Sequence, residues 1–440
     1  MRISSVRAAI VGSLLALCLT QTAQASSKSI TQLIAESPDS SASTSLSQDG
    51  TLIAFSTAAS LVSQDTNAYR DVYLYNRLTK TTTLISTNAQ GIAADHPSDM
   101  PSISADGRYI AYLSEAHNLP TIPRLHCGGP TTLCRSIVVY DRQTNQNALA
   151  NRKTLGTPLK VVAQGPKISS DGKFVLFLSD TPMGPIDNNE RPDLVMRDMQ
   201  SGVTRLISVD DNGSTHPGVI GQYSLSKDGR YVSLASTGQL APGGVPGVSS
   251  VFLRDVQMMI TDRIRTGATS PDISSDGRFM CYTANSGSKQ EVMVYDVLGR
   301  TSQLVSVSSR GAPGNNDSFA PHISRNGDYI TYTSTANNLV RDDSNGMSDI
   351  FLHYRLYGLT RRVNKATGDA GQASGGDSRT STISGDGSTI AFLSRASNVT
   401  PGTNPASTYL YTNYNPVLSI PYYDPNDWLD LIDAASRPPL

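Results

Sequence analysis

Three stretches of the chain place oxygen-bearing side chains at one fixed spacing, Asp-x-Asn-x-x-x-Asp. They are Asp65/Asn67/Asp71, Asp187/Asn189/Asp193 and Asp343/Asn345/Asp349. Alternating carboxylates and carbonyls on a loop suit Ca2+, a hard cation that takes six to eight oxygen ligands. The bidentate Glu that ends an EF-hand loop is missing, so that motif is excluded. The same residues also suit a plain Asx turn ahead of a strand, in which the side chain bonds its own downstream backbone. A second group is six His, which do not cluster in sequence. His96, His216 and His322 fall on segments leading toward a first strand, together with Asp99, Asp272, Asp317, Asp377 and Arg379. These eight residues are expected around a channel mouth, as a binding surface or, with several imidazoles converging, a metal site. Nucleophilic catalysis finds no support: no Gly-x-Ser-x-Gly elbow is present. Glu is confined to Glu36, Glu115, Glu190 and Glu291, with no acid–base pairing in sequence.

The elements that must position these residues recur. The clearest copy is Ile103-Ser-Ala-Asp-Gly-Arg-Tyr-Ile-Ala-Tyr-Leu-Ser114, a strand, a tight turn and a second strand. The turn acid or amide recurs as Asp49, Asp106, Asp171, Asp228, Asp276, Asn326 and Asp386, each followed by Gly and preceded two residues earlier by Ser. Gly supplies the left-handed backbone of a short turn. Ser and Asp are read as a hydrogen-bonded staple of that turn. Each turn leads into a nearly continuous apolar run such as Phe174-Val-Leu-Phe177, as expected of a strand buried on both faces. Third and fourth strands follow, as in Val72-Tyr-Leu-Tyr75 and Thr83-Leu-Ile-Ser86. Four short strands repeated seven times predict an all-β, seven-bladed β-propeller with four-stranded antiparallel blades. Thr31–Glu36 reads like a fourth strand without its first three, and the seventh copy lacks one. The ring is therefore expected to close through this N-terminal strand, with Val417–Ile420 as the rival.

The repeat Ile-Ser-x-Asp-Gly-(Arg/Lys)-(Tyr/Phe)-Ile-Ala-Tyr, followed by the Asp71-Val-Tyr-Leu-Tyr75 strand, resembles the TolB-like, PD40-type propeller repeat. That family more usually has Pro at x, where this chain has Gln, Ala, Ser, Lys, Ser, Arg and Gly. The resemblance implies a propeller over essentially the whole mature chain. It implies envelope binding proteins such as those of the TolB type, and some seven-bladed lyases that cleave uronate oligosaccharides through His-bound metal. Propellers host many activities, so the fold by itself selects none.

Residues 1–25 are expected to be a secretory signal peptide: Arg2 and Arg7, an apolar Ala8–Leu19, then Ala23-Gln-Ala25. Residues 26–418 form the propeller and 419–440 a tail carrying Trp428, the chain's single Trp. The protein is expected to be periplasmic or secreted, with no transmembrane segment after cleavage. Without Arg2 and Arg7 the 36 Lys and Arg become 34, against 37 Asp and Glu. That near-neutral balance gives no footprint for nucleic acid. In an exported protein, Cys127 and Cys134 in a Gly/Pro-rich insertion read as a local disulfide, and Cys281 as a buried thiol. The turn residues stand 48 to 65 residues apart. The extra length falls between strands two and three and between successive repeats, which places it on one face. The functional expectation is a binding or scaffold module of the bacterial cell envelope for a protein or glycan partner. The alternatives are a metal-dependent polysaccharide lyase or hydrolase, and a calcium-stabilised structural propeller.

Overall fold

The computed structural model describes residues 30–37, 43–119, 135–365 and 376–414, less positions 155, 162, 163, 185, 186, 188, 342, 397 and 400–407. Its strands form seven four-stranded antiparallel sheets. The first holds Thr44–Leu46, Leu52–Thr57, Asp71–Asn76 and Thr81–Leu84. The second holds Ser98–Ile103, Tyr109–Ser114, Ser136–Asp141 and Gln146–Leu149. The third holds Lys167–Ile168, Phe174–Ser179, Asp193–Asp198 and Thr204–Leu206. The fourth, fifth and sixth begin at Ile220–Leu225, Ala268–Ile273 and Ser318–Ile323 and repeat the plan. The seventh holds Ser378–Ile383, Thr389–Ser394 and Thr408–Tyr414, and its outer strand is Ile30–Ser37 from the other end of the chain. Ile30 pairs with Tyr414 and Ser37 with Thr408 across that closure. The seventh sheet packs back on the first, so the whole is a β-propeller with its first strands around a central channel.

The Ser-x-Asp-Gly turn is the staple expected of it. In the second sheet Ser104 Oγ donates to Asp106 Oδ1 at 2.6 Å and accepts from the Tyr109 N–H at 2.9 Å. Every other copy repeats both bonds, with Asn326 standing in for the acid in the sixth. Each bond contributes roughly 1 kcal/mol net, more where a carboxylate accepts. The Gly that follows has positive φ, +75° at Gly172 for example. A Cβ there would stand 2.3 Å from the Tyr109 ring of the preceding sheet. Gly229, Gly277, Gly327 and Gly387 meet Phe174, Tyr231, Phe279 and Tyr329 in the same way. The residue that opens each second strand is thus a lid over the next sheet's turn, an aromatic in five copies and Leu52 and Thr389 in the other two.

The turns also bond to one another. The N–H of Gln48 donates to the carbonyl of Ala105 at 2.8 Å, and that of Ala105 to Ser170 at 2.9 Å. Lys227 donates to Ser275, Ser275 to Arg325 and Arg325 to Gly385, and the Asp386 N–H returns to Gln48. These donors are mostly the x residues of the turns. Pro has no N–H, so the Pro common at this position in the TolB-like repeat would delete the bond. Pro is absent at all five x positions that donate, Gln48, Ala105, Lys227, Ser275 and Arg325. Ser170 and Ser275 join hydroxyls at 3.0 Å over the intervening turn, and Arg325 bonds Gln48 likewise. The turn face of the channel is drawn closed, and the long loops lie on the opposite face.

The core lies between sheets rather than inside one. Ala54, Val72 and Leu74 of the first sheet pack on Ile103, Ile110 and Tyr112 of the second. Second strands such as Leu52–Thr57 and Tyr329–Ser334 are buried along their whole length, as their continuous apolar runs require. Cys281 is a buried free thiol in one of them. Because one strand from each terminus completes the seventh sheet, removing residues 30–37 should expose the Thr408–Tyr414 edge and open the ring. Thermal unfolding of that deletion variant should occur far below wild type; an unchanged melting temperature would contradict the closure.

Candidate functional site

The Asp-x-Asn-x-x-x-Asp loops are built alike. The Asn side-chain oxygen accepts the N–H two residues on: Asn67 from Tyr69 at 2.6 Å, Asn189 from Arg191 at 3.0 Å, Asn345 from Met347 at 2.9 Å. That bond fixes the amide, so its nitrogen faces the last aspartate. Asn67 Nδ2 lies 3.0 Å from Asp71, Asn189 Nδ2 3.3 Å from Asp193 and Asn345 Nδ2 3.3 Å from Asp349. The amide oxygen thus accepts one bond in the Asx turn, and two carboxylates per loop stand beside it. The last aspartate is also held from the end of the fourth strand, by Ser86, Ser208 or Asn364. Burial pushes the carboxyls of Asp71 and Asp349 up to about 6, helped by the charges of Asp65 and Asp343 and offset in part by those hydrogen bonds. Burial and Asp187 push Asp193 in the same direction.

The second group lies in the channel. First strands of the second, fourth, fifth, sixth and seventh sheets carry a bulge, marked by register shifts such as Asp99/Ser102. Met100, Ser270, Ala320 and Thr380 there take φ of +51° to +55°, a left-handed conformation uncommon for residues with a Cβ. Pro101, Pro271 and Pro321 follow them, on strands whose inner edge borders the channel. The bulges and their neighbours enclose a cavity of about 270 Å3, at the small end for ligand pockets.

One register position, two residues before the turn Ser, forms a belt around this channel: Ser45, Ser102, Lys167, Ser224, Asp272, His322 and Thr382. Its structural task is visible at Ser45 and Ser102. Ser45 Oγ accepts the Ile103 N–H of the next sheet and Ser102 Oγ that of Ile168, both at 3.1 Å. Asp272 Oδ2 does the same for Ile323 at 3.1 Å and also meets His322 Nδ1 at 3.2 Å. An ammonium group has no lone pair, so Lys167 cannot take this task. Its exposed side chain lines the cavity with Asp272 and His322. Burial alone would raise the Asp272 carboxyl. The hydrogen bond and charge of His322, the Ser224 hydroxyl and the charge of Lys167 outweigh it and hold Asp272 below the ordinary carboxylate value. The arrangement is a cation, a carboxylate–imidazole pair and several hydroxyls around one small cavity.

The expected channel-mouth residues divide. Asp272 and His322 meet in the channel. His96 pairs with Asp95 at 3.2 Å, and His216 with Asp210 at 3.0 Å, both on connecting loops. The three imidazoles therefore have three separate carboxylates and do not converge. Asp99 pairs with Arg70 at 3.4 Å and accepts from Ser56, tying the second sheet to the first. Asp317 accepts the Gln290 N–H at 2.8 Å, and Asp377 the Ser348 N–H at 3.1 Å, each tying a sheet to its predecessor. Arg379 is half-buried at the seventh-sheet register of Asp99. Cys127 and Cys134, the residues 1–25 expected to be a signal peptide, and the tail 419–440 lie outside the described residues. Lys167 is the charged cavity-lining residue that sequence reading missed. Aligning the belt position would have found it, since Ser or Thr fills four of the seven copies and charged or titratable groups the other three.

The buried aspartates give a pH signature. A carboxyl raised to about 6 in the fold binds its proton more tightly folded than unfolded. Its contribution to stability is therefore greatest below about 4 and is lost as pH rises through 6. Relative to Asp71→Asn, wild type should lose up to about 3 kcal/mol between pH 4 and 6, at ~1.4 kcal/mol per unit. Parallel denaturation curves for the two proteins would contradict the assignment. Calcium bound between Asp65 and Asp71 would favour the charged form and reverse the slope, so the same titration with added Ca2+ tests that expectation.

No family model and no curated protein matches the chain. Among solved structures, 831 chains match, too many for the fold to choose a function. The β-propeller domain of the Trilobed protease from Pyrococcus furiosus is 12% identical, covering 84% of this chain and 91% of that one with a TM-score of 0.52. An oligogalacturonate lyase in complex with manganese is 12% identical, covering 89% and 94% with a TM-score of 0.51. TolB from Acinetobacter baumannii is 16% identical over 70% of this chain, with a TM-score of 0.43. This chain spans 62% of the length of that TolB. Among the described residues no helix is long and apolar enough to cross a membrane. The chain is a β-propeller, and TolB proteins stand among its structural neighbours as a likeness of fold.

Proposed function

We propose that this chain is an exported, seven-bladed binding module of the bacterial cell envelope, which takes a polar group of a protein or glycan partner into its central channel. Lys167 carries the reading. It occupies a position whose structural task needs a hydrogen-bond acceptor, and it presents an ammonium group to the cavity instead. A carboxylate on the ligand would pair with Lys167, while Asp272 and His322 take hydroxyl or amide groups beside it. Peptides and acidic sugars both carry that combination. The bonded turns narrow the opposite end, so entry is from the long-loop face. A lyase would need several metal ligands at the cavity, and among its described lining residues only Asp272 and His322 offer a carboxylate or an imidazole.

The test is a crosslinked pull-down from the envelope fraction with residues 26–440, wild type against Lys167→Ala. Losing a charged contact of ~1.5 kcal/mol or more should cut capture by about 10-fold, with the melting temperature unchanged. Equal capture by both proteins would remove the channel as the binding site.

A further inference from the structure

Away from the channel, two loops of the second sheet bring Asp95, His96 and His117 together, with one ligand atom of each within 4.8 Å of the others. Asp95 and His96 lie on the entry to Ser98–Ile103, and His117 on the exit from Tyr109–Ser114. The loops are stapled independently of any ion. The His117 N–H donates to Asp95 Oδ1 at 2.7 Å, the Asp95 N–H to Asn118 Oδ1 at 3.1 Å, and Asn118 Nδ2 to the Ala93 carbonyl at 2.8 Å. His96 is held between two rings: it stacks on Tyr69 of the first sheet at 5.6 Å and meets His117 edge-on at 4.8 Å. A simple ion pair accounts for Asp95 and His96 but not for His117, whose ring nitrogens have no hydrogen bond among the described residues.

We propose that Asp95, His96 and His117 bind a divalent transition-metal ion of the zinc class. Two imidazoles and one carboxylate suit such an ion better than Ca2+ or Mg2+, which prefer oxygen. Bonds of ~2.0–2.1 Å in tetrahedral geometry separate ligand atoms by about 3.3 Å. His96 Nδ1 and Asp95 Oδ1, at 3.2 Å, already have that spacing. The remaining separations, 4.8 Å at most, close by rotation of the His117 side chain, which is partly exposed on its loop. Three protein ligands leave the fourth position to water or to a partner's side chain on the long-loop face. The ion clamps the start of the longest insertion to the entry of its own sheet.

Co2+ serves as the probe, titrated into residues 26–440 and followed by its ligand-field absorption and by calorimetry. One equivalent should bind with a nitrogen–oxygen spectrum. His96→Ala and His117→Ala should each weaken binding by at least about 10-fold, the loss that even outer-shell partners of a metal cause. His117→Gln should do so with the side-chain size kept, and His216→Ala should bind as wild type. Undiminished binding by the His96 and His117 variants, or no uptake by wild type, would overturn the site. A thiolate-to-cobalt charge-transfer band would overturn it too, by placing the ion on cysteine.

Discussion

The structure depends on the backbone bonds that run from turn to turn around the closed end of the channel. Each is an ordinary N–H to carbonyl bond near 2.9 Å. Together they fix the height and rotation of neighbouring sheets at every junction but that of the third and fourth, which the Ser170–Ser275 hydroxyl bond spans. The staple inside each turn holds the donor in place, and the lidding side chain of the preceding sheet, aromatic in five copies, leaves no room for a Cβ after the acid. One turn therefore carries three constraints: a serine that bonds both ways, an x residue with a free N–H, and a glycine under a lidding side chain. Identity at other positions is released. First strands vary widely, and third strands share their apolar character and, in three sheets, an opening Asp.

That division explains what was legible in the sequence. Ser169, Asp171 and Gly172 announce their turn because each has a task no other residue performs as well. The N-terminal strand was legible by subtraction, since Thr31–Glu36 had no partners of its own and the seventh sheet lacked a fourth strand. The histidines were not legible as a set. His96, His216 and His322 each lead toward a first strand, but the loops before those strands differ. His322 enters the channel while His96 and His216 remain outside, each on its own aspartate. Asp99, Asp317 and Asp377 were grouped with the channel mouth, yet they join neighbouring sheets. In an extended first strand, one residue of register decides between the channel and the interface.

The Asp-x-Asn loops mark another limit of sequence reading. Sequence spacing specifies oxygen atoms but not which way an amide faces. Here the N–H two residues on claims the Asn oxygen, so the amide nitrogen caps the buried aspartate. The spacing reads both as a cation site and as an Asx turn ahead of a strand, and the turn is formed in the fold at the entry to the third strand. The same loops keep carboxylates buried at a cost, visible in the raised values of Asp71 and Asp349.

The belt separates structure from function most cleanly. Ser45 and Ser102 show that serine can make the bond that Asp272 makes at the same register, so the charge of Lys167 and the Asp272–His322 pair go beyond what that bond requires. The decisive measurement is the partner affinity and melting temperature of the triple variant Lys167→Ser, Asp272→Ser, His322→Ser. The account predicts a protein that melts close to wild type and no longer binds its partner. A variant that unfolds would make the three residues part of the scaffold, and one that folds and binds as before would show that the channel is not where recognition occurs.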